Sequence, residues 1–275
     1  MRYLSGFMCA LALAVTGCSE TAGAGGSGGS DLCEGMMCED DGNECTEDVC
    51  NPADGRCGVP VGNGTACSDG ACMDGECTAL TTVSGTVVVD EVEAAEGATV
   101  SWLGSTLSTT ADESGAFSFE VPVGNLFLQA SKAGTWGDIS LYWTEGASEL
   151  EINITSDAGL EDVLSGTGVD IDATKGIVDV GFLNYSRMGG ESATISEAYD
   201  SSWVQDANLN NVMSNALVRD GFPWLGFVNV VVTDELTVSP AGAEGVNMCG
   251  LLVPGTVYPV VAKFVTGVDV MCTPL

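Results

Sequence analysis

The sequence contains no histidine, and its 7 lysines and arginines stand against 39 aspartates and glutamates. Without histidine, the Ser/His/Asp and Cys/His catalytic arrangements and all His-ligated metal sites are excluded. Carboxylate pairs are the familiar hydrolytic groups that are left, and nothing in the sequence places two carboxyls at the roughly 5–9 Å separation that glycoside hydrolysis uses. We therefore expect no catalytic residues, no cofactor and no enzymatic activity.

The shortage of positive charge also restricts the possible partners. A formal net charge of −32 repels nucleic acid and anionic membrane surfaces, while it favours cations and solubility. We expect no nucleic-acid partner. Adaptation to a salty medium and a dedicated cation-binding role both remain open as explanations of the charge.

No apolar run in the first part of the chain is long enough to span a membrane as a helix. The run at residues 4–15 follows a single basic residue, Arg2, and has the length and position of a signal-peptide core. It leads into the letters VTGC at residues 15–18, which resemble the lipobox of bacterial lipoproteins. This resemblance implies that residues 1–17 are a signal peptide and that Cys18 carries lipid.

Lipidation of Cys18 would anchor the protein to a membrane, and we expect the outer membrane or cell surface of a Gram-negative bacterium. The alternative is an ordinary secretory signal with Cys18 as a stray thiol. Either interpretation predicts export. Residues 18–31 then form a Gly/Ser-rich tether with nothing to bury.

The next segment, residues 32–79, is dominated by cysteine and has almost no large apolar side chain. In an exported chain, this composition predicts a small module held by disulfides rather than by a hydrophobic core. Zinc binding is the alternative, although no Cys-x-x-Cys pair is present. The spacing selects no pairing among the cysteines, which are Cys33, Cys38, Cys45, Cys50, Cys57, Cys67, Cys72 and Cys77.

Within this module, residues 41–50 read DGNECTEDVC and resemble the short extracellular repeats with a DGNxCTxDxC pattern, which are EGF-like in places. That resemblance implies a cell-surface setting. Carboxylates in the same stretch could bind calcium, although their spacing is not that of an EF-hand and solvated acids are the alternative. The candidate ligands are Asp40, Asp41, Glu44, Glu47 and Asp48.

Residues 80–155 carry the clearest secondary-structure signal. Short apolar or alternating runs, separated by Gly, Asp, Glu and Asn, predict the strands of a β-sandwich. The runs lie at residues 83–89, 98–103, 106–110, 116–121, 126–131, 139–143 and 150–154. The letters VSGTV from Val83, GATV from Gly97, TADESGAF from Thr110 and VPVG from Val121 resemble the carboxypeptidase regulatory-like (transthyretin-like) domain. The resemblance implies a β-sandwich fold; it does not identify a ligand.

Residues 156–175 are predicted to be a linker with a short helix at 157–165, capped by Ser156 and ended by Gly166. The linker includes DIDAT at residues 170–174, which matches the letters of the phosphotransfer DxDxT motif. That motif needs a buried strand immediately before it, so an inter-domain turn is the alternative.

Residues 176–275 are predicted to form a second, divergent sandwich of the transthyretin-like or immunoglobulin-like kind. Its β-type runs lie at residues 176–183, 193–196, 215–219, 224–232, 236–239, 250–253 and 258–265. Cys249 and Cys272 are predicted to form a disulfide in this half. The fold class expected for the whole chain is mainly β, with a small disulfide-rich module followed by two β-sandwich domains.

The tryptophans invite a carbohydrate-stacking interpretation, against which stands ordinary packing in a β-sandwich. They are Trp102, Trp136, Trp143, Trp203 and Trp224. The leading functional hypothesis is a non-catalytic, surface-anchored lipoprotein with an adhesion, scaffold or spacer role. The alternative is a carbohydrate-binding module at the cell surface, so the expected partners are a membrane through the lipid anchor and a glycan or a surface protein.

Overall fold

A computed structural model describes residues 32–165 and 167–275 of the chain. The predicted signal peptide, Cys18 and the tether lie outside the described residues, as does Gly166, the predicted end of the linker helix. The described structure is mainly β with one short helix, which confirms the predicted fold class. Among the described residues, no helix is both long and apolar enough to cross a membrane.

The N-terminal module consists of short strands tied together by disulfides. Its strands are β1 (Thr46–Cys50), β2 (Cys57–Pro60), β3 (Ala66–Cys67) and β4 (Gly70–Met73). All eight clustered cysteines are paired, as Cys33–Cys50, Cys38–Cys57, Cys45–Cys72 and Cys67–Cys77. Its buried apolar side chains are few and small, so covalent closure replaces a hydrophobic core.

A single long strand, β5 (Glu76–Val89), connects the module to the first sandwich. Its first residues pair with β4, from Glu76 opposite Met73 to Ala79 opposite Gly70. Its later residues form the first sandwich, and β5 has no break between the two parts. The predicted domain boundary between residues 79 and 80 therefore falls inside one strand.

The first sandwich contains an observed strand within, or overlapping, each of its seven predicted runs. Besides β5, its strands are β6 (Glu93–Ala94), β7 (Thr99–Trp102), β8 (Ser108–Thr110), β9 (Ala116–Pro122), β10 (Asn125–Ser131), β11 (Thr135–Trp143) and β12 (Leu150–Ser156). One layer pairs β5 with β9 and, in parallel, with β12, and the other joins β8, β7, β10 and β11. Buried side chains such as Val83, Val87, Leu128 and Ile152 fill the space between the layers.

The TADESGAF letters form the tight turn between β8 and β9. Asp112 Oδ1 accepts hydrogen bonds from the backbone N–H groups of Ser114, at 2.8 Å, and Ala116, at 3.0 Å. Gly115 has φ +78°, and a Cβ there would collide with the carbonyl oxygen of Val87. The turn therefore needs an aspartate as the acceptor and a glycine at the close approach.

The linker helix α1 spans Asp157–Val163, slightly shorter than predicted. Ser156 caps it, because its Oγ accepts a hydrogen bond from the backbone N–H of Gly159 at 2.8 Å. Leu160 and Leu164 pack with Trp136 of β11 in an apolar cluster that also contains two residues of the second sandwich, Ile177 and Val228. The helix therefore fixes the two sandwiches to each other.

The second sandwich begins with β13 (Gly176–Leu183), as predicted. Its further strands are β14 (Ser192–Ile195), β15 (Ser201–Gln205), β16 (Asn211–Met213), β17 (Trp224–Val230), β18 (Thr233–Leu236), β19 (Val238–Ala241), β20 (Asn247–Leu251), β21 (Tyr258–Val260) and β22 (Phe264–Pro274). Its core includes Val178, Phe182, Phe227 and Val268.

Three predictions for this half are wrong in detail. The predicted run at 236–239 is split between β18 and β19, with Thr237 between the two strands. Residues 215–219 form a loop rather than a strand, since the Leu217 backbone bonds to Glu191 and Gly190 and Ala216 makes only an isolated bridge. The predicted run at 258–265 is split between β21 and β22, and Lys263 with φ +63° precedes the second of them. Strands β15 and β16, in which every residue but Val204 is partly or fully exposed, were not predicted.

Strand β22 joins the two sandwiches into one sheet. Along one edge it pairs in parallel with β13, and along the other it pairs first with β11, in parallel, and then with β20, antiparallel. The resulting sheet runs in the order β16-β15-β17-β13-β22-β11-β12-β5-β4-β3, from the second sandwich to the module. The β20–β22 ladder places Cys249 opposite Cys272, and these two residues form the predicted disulfide.

Candidate functional site

Aspartates from three adjacent strands meet where β22 joins the sandwiches. Asp179 of β13 lies directly opposite Gly267 of β22, and Asp138 of β11 lies opposite Val265. Because side chains alternate along a strand, Val265, Gly267 and Asp269 share one face of β22. Asp138, Asp179 and Asp269 therefore belong to one face of the sheet, and we call them the junction carboxyl cluster.

Glycines make the space for this cluster. A Cβ on Gly267 would lie 2.8 Å from Ser140 Oγ, and Ser140 in turn donates a hydrogen bond to Asp138 Oδ2 at 3.0 Å. Gly181 lies opposite Asp269 and is covered by the indole of Trp224. A Cβ added to Gly181 would lie only 2.5 Å from Trp224 Cζ3. Each glycine thus leaves room for a side chain from a neighbouring strand to lie across it.

Burial raises the pKa values of the three carboxyls of the junction carboxyl cluster. Burial raises the pKa of Asp138 to about 7, and the charge of Asp179 adds to the effect while the Ser140 hydrogen bond opposes it. Burial also raises the pKa of Asp179 to about 7, and it raises the pKa of Asp269. The pKa of Tyr142 is raised by burial and by the charges of Asp138 and Asp269.

Two polar atoms in this part of the sheet have no hydrogen-bond partner. They are Asp179 Oδ1 and Trp203 Nε1, both inaccessible to solvent. The two residues flank the same residue, Gly226 of β17, in the sheet register. Within residues 32–165 and 167–275, the ion pairs are Lys175–Asp200 and Lys263–Asp157, so no basic side chain neutralises the cluster. With pKa values of about 7, Asp138 and Asp179 are able at neutral pH both to donate and to accept hydrogen bonds.

A cleft opens beside the cluster, which we call the junction cleft. It forms because residues 267–269 of β22 lie between the end of the β11 ladder at Thr266 and the start of the β20 ladder at Val270. Its volume is about 260 Å³. The residues that line it come from both sandwiches and are Asn125, Leu141, Trp143, Leu252, Val253, Tyr258, Gly267 and Asp269.

The polar groups of the junction cleft are few. Burial, together with the charge of Asp269, raises the pKa of Tyr258 to about 12. The Asp269 carboxylate has no hydrogen-bond or ion-pair partner among the described residues. Trp143 stands at the opening with 55% of its surface exposed. The cleft therefore combines apolar walls, an accessible indole and an unpaired carboxylate.

The five tryptophans proposed as stacking residues have different environments. Trp102 and Trp136 are 5% and 2% exposed and belong to hydrophobic cores, so the stacking prediction is wrong for them because neither presents a ring face. Trp203 is half-buried and packs against the cluster that contains α1. Trp143 and Trp224 alone among the five are exposed.

The calcium candidates are only partly brought together. Carboxylate oxygens of Asp40, Asp41 and Asp48 lie within 4.8 Å of one another on the exposed surface of the module. Asp40 and Asp41 also accept hydrogen bonds from the backbone N–H groups of Gly42 and Asn43, both at 2.8 Å. These are local turn contacts, and they account for the two acids without a bound ion.

The other two calcium candidates lie apart from that group. Glu44 accepts a hydrogen bond from the backbone N–H of Ser68, and Glu47 is on β1, opposite Val59. The five carboxylates therefore do not form one set of ligands.

The DIDAT letters form a turn in the linker. Asp172 Oδ1 accepts hydrogen bonds from Thr174 N at 2.9 Å and Thr174 Oγ1 at 2.7 Å, which lower the Asp172 pKa. No strand precedes the motif within residues 167–175, so the phosphotransfer interpretation is wrong and these residues form a turn.

Sequence reasoning missed one fully buried acid, Glu191. Its Oε1 accepts hydrogen bonds from Ser186 N at 2.7 Å and from Asn247 Nδ2 at 2.9 Å. Burial alone would raise the pKa of Glu191, but these hydrogen bonds outweigh burial and hold it below its ordinary value. A glutamate directly after two glycines was the only available sequence signal, and it is a weak one.

No protein-family model matches this chain, and no curated protein matches it. Among solved structures it is similar to the Bacillus anthracis TIE protein, with 11% identity and a TM-score of 0.22 over 72% of this chain and 35% of that one. It is also similar to the major pilin protein (T-13) from Streptococcus pyogenes, with 6% identity and a TM-score of 0.20 over 72% of this chain and 98% of the pilin. The chain spans about a third of the length of the TIE protein.

Proposed function

We propose that this protein is an exported, lipid-anchored adhesion or scaffold unit at the cell surface and that it has no catalytic activity. The observation that carries the proposal is the single sheet that runs from β3 of the module to β16 of the second sandwich. Such a sheet gives a connected body that can hold a surface at a fixed distance from an anchor. The five disulfides support export, because they form and persist in oxidising compartments.

The anchor in this proposal is Cys18, placed by the VTGC letters immediately before the tether. The first sandwich is of the carboxypeptidase regulatory-like kind, a proposal supported by the Asp112 and Gly115 turn between β8 and β9. Neither assignment requires a reactive group.

Anchoring is tested by membrane fractionation of cells that express the full chain. A Cys18→Ala variant should remain unprocessed or leave the membrane fraction, since both cleavage and acylation need the thiol. Cys9→Ala removes the other cysteine of the first 31 residues and serves as the matched control, which should behave as the unaltered protein does. Processing and membrane retention of the Cys18→Ala variant would contradict the proposed anchor.

A second candidate function is carbohydrate binding, favoured by Trp224. Its indole lies against Gly181 on the outer face of the second sandwich and is 44% exposed, with Asp269 directly opposite Gly181. An aromatic ring next to an acceptor is an arrangement that suits a pyranose. On a glycan array, Trp224→Ala should abolish any specific binding. The variant should still fold, because Trp224 is exposed and core residues such as Trp102 are unchanged. Absence of specific binding by the unaltered protein would leave only the scaffold role.

A further inference from the structure

We propose that the junction cleft receives a lysine side chain from a partner protein, with the ammonium group at Asp269 and the aliphatic stem between the cleft walls. This inference rests on the proposed adhesion function, for which it names the partner chemistry: a protein surface that presents an exposed lysine. The junction cleft, the Asp269 carboxylate and the Trp143 indole carry it.

The first argument is an unpaired charge among the residues that line the cleft. Asp269 is exposed and has no hydrogen-bond or ion-pair partner among the described residues. Its charge contributes to the raised pKa of Tyr258, so the two groups are neighbours. A cation at this carboxylate gains a favourable charge interaction that no ion pair within residues 32–165 and 167–275 supplies.

The second argument concerns the walls. Leu141 approaches the cleft from the first sandwich, and Leu252 and Val253 approach it from the second. Aliphatic walls suit the methylene groups of a lysine stem, whereas the hydroxyl groups of a sugar would lose hydrogen bonds to water against them. The aliphatic lining thus favours an alkylammonium over a glycan at this place.

The third argument is the aromatic rim. Trp143 is 55% exposed at the opening, and tryptophan is the aromatic side chain that attracts cations most strongly. Asp269 and Trp143 both line the cleft, so both are available to the same cation.

Size and long-range charge agree with a single side chain as the occupant. A cleft of about 260 Å³ lies below the roughly 300–1,000 Å³ typical of sites for drug-sized ligands, so it suits one side chain. The formal net charge of −32 steers a basic partner toward this protein and repels an acidic one. The position between two sandwiches fixed by β22 and α1 gives the cleft rigid walls.

The test uses Nα-acetyl-lysine methylamide as the probe and the ¹⁵N-labelled full chain at about 0.15 M salt, where non-specific attraction between exposed charges is screened. The indole N–H signal of Trp143, assigned with a Trp143→Phe variant, should shift and saturate as the probe is added. The Nε-acetylated probe has the same stem without the charge, and it should produce no saturable shift.

Two pairs of variants separate the cleft from general electrostatic attraction. Asp269→Asn should weaken binding at least tenfold, whereas Glu161→Gln, which removes an exposed charge on α1, should leave the affinity unchanged. Trp143→Ala, followed at the backbone N–H of Asp269, should weaken binding, whereas Met37→Ala, at a 90% exposed position of the module, should not. Binding should also weaken as the pH is lowered, because protonation removes the Asp269 charge.

Several results would overturn the proposal: no saturable shift at Trp143, equal binding of the Nε-acetylated probe, unchanged affinity in Asp269→Asn with its fold intact, or preferential binding of glucose or N-acetylglucosamine at the same indole. The last result would assign the cleft to glycans. None of these results affects the Cys18→Ala fractionation, so failure of this inference is distinguishable from failure of the proposed anchoring.

Discussion

The N-terminal module and the second sandwich are stabilised by different means within one continuous sheet. The module has four disulfides and few buried apolar side chains, of which Ala71 is an example. The second sandwich has one disulfide and a large core that includes Phe182 and Phe227. A segment without enough apolar surface to bury needs covalent closure, and a segment with enough does not.

The largest expected effect comes from reduction of the module. With its disulfides reduced, residues 33–77 should lose their structure, since closing the Cys45–Cys72 loop of 27 residues alone contributes about 3.5 kcal/mol. Hydrogen exchange should show loss of protection in β1–β4 while β13 and β17 stay protected. Retained protection of β1 and β2 in reductant would show that the module has a stability that its small core does not explain.

The converse experiment removes core from the second sandwich. Phe227 is fully buried and its ring lies 4.9 Å from that of Tyr199, so Phe227→Ala should lower the free energy of unfolding by about 3–5 kcal/mol. Leu209→Ala, at a position 61% exposed, is the matched control and should change stability little. Urea unfolding followed by tryptophan fluorescence measures both, and similar losses in the two variants would contradict this account of the core.

The second sandwich is stabilised in both ways, because it has one disulfide as well as a hydrophobic core. Replacing Cys249 and Cys272 together by serine should cost about 3 kcal/mol, because the bond closes a loop of 23 residues. The melting temperature should fall by several degrees, and the sandwich should remain folded since its core is intact. Equal melting of the full chain and the double variant would mean that the β20–β22 ladder alone fixes these strands.

The comparison also explains what the sequence could predict. In the first sandwich the alternation of apolar residues and the Asp112 to Gly115 turn are local signals, and the observed strands match the predicted runs. The helix was predictable because Ser156 caps it. The pairing Cys249–Cys272 was predictable because no other cysteine lies in that half.

The rest depends on contacts between distant residues. Nothing local shows that β22 pairs with β11 in parallel, or that β5 serves two regions, so the continuous sheet and the junction cleft could not be predicted. The run at 215–219 contains the buried Leu217, but the backbone of Leu217 bonds to Gly190 and Glu191 in a loop rather than to a neighbouring strand. The junction carboxyl cluster could not be predicted, because the chain has many acidic residues and the sequence does not show which of them are buried.

The smallest expected effect has the opposite sign, because Asp179 destabilises the junction when it is ionised. Its pKa is about 7 in the folded protein, against an ordinary value of 3.8, so between those values the folded state binds more protons than the unfolded state. The contribution of Asp179 to stability is therefore complete below about pH 4 and decreases as the pH rises to 7. Asp138, with the same direction of shift, behaves alike.

Replacement by asparagine keeps the shape of Asp179 and removes the charge. Asp179→Asn should raise the free energy of unfolding at pH 8 by about 1–3 kcal/mol, less than the roughly 4 kcal/mol equivalent of the pKa shift, because a buried amide also loses hydration. Asp200→Asn is the matched control. Hydrogen bonds from Asn229 and Lys175 lower the Asp200 pKa, so its ionised form stabilises the fold above the unfolded pKa, and the substitution should destabilise at pH 8. Urea unfolding at pH 5 and pH 8 measures both, and a loss of stability in Asp179→Asn at pH 8 would contradict the expected cost of ionising Asp179.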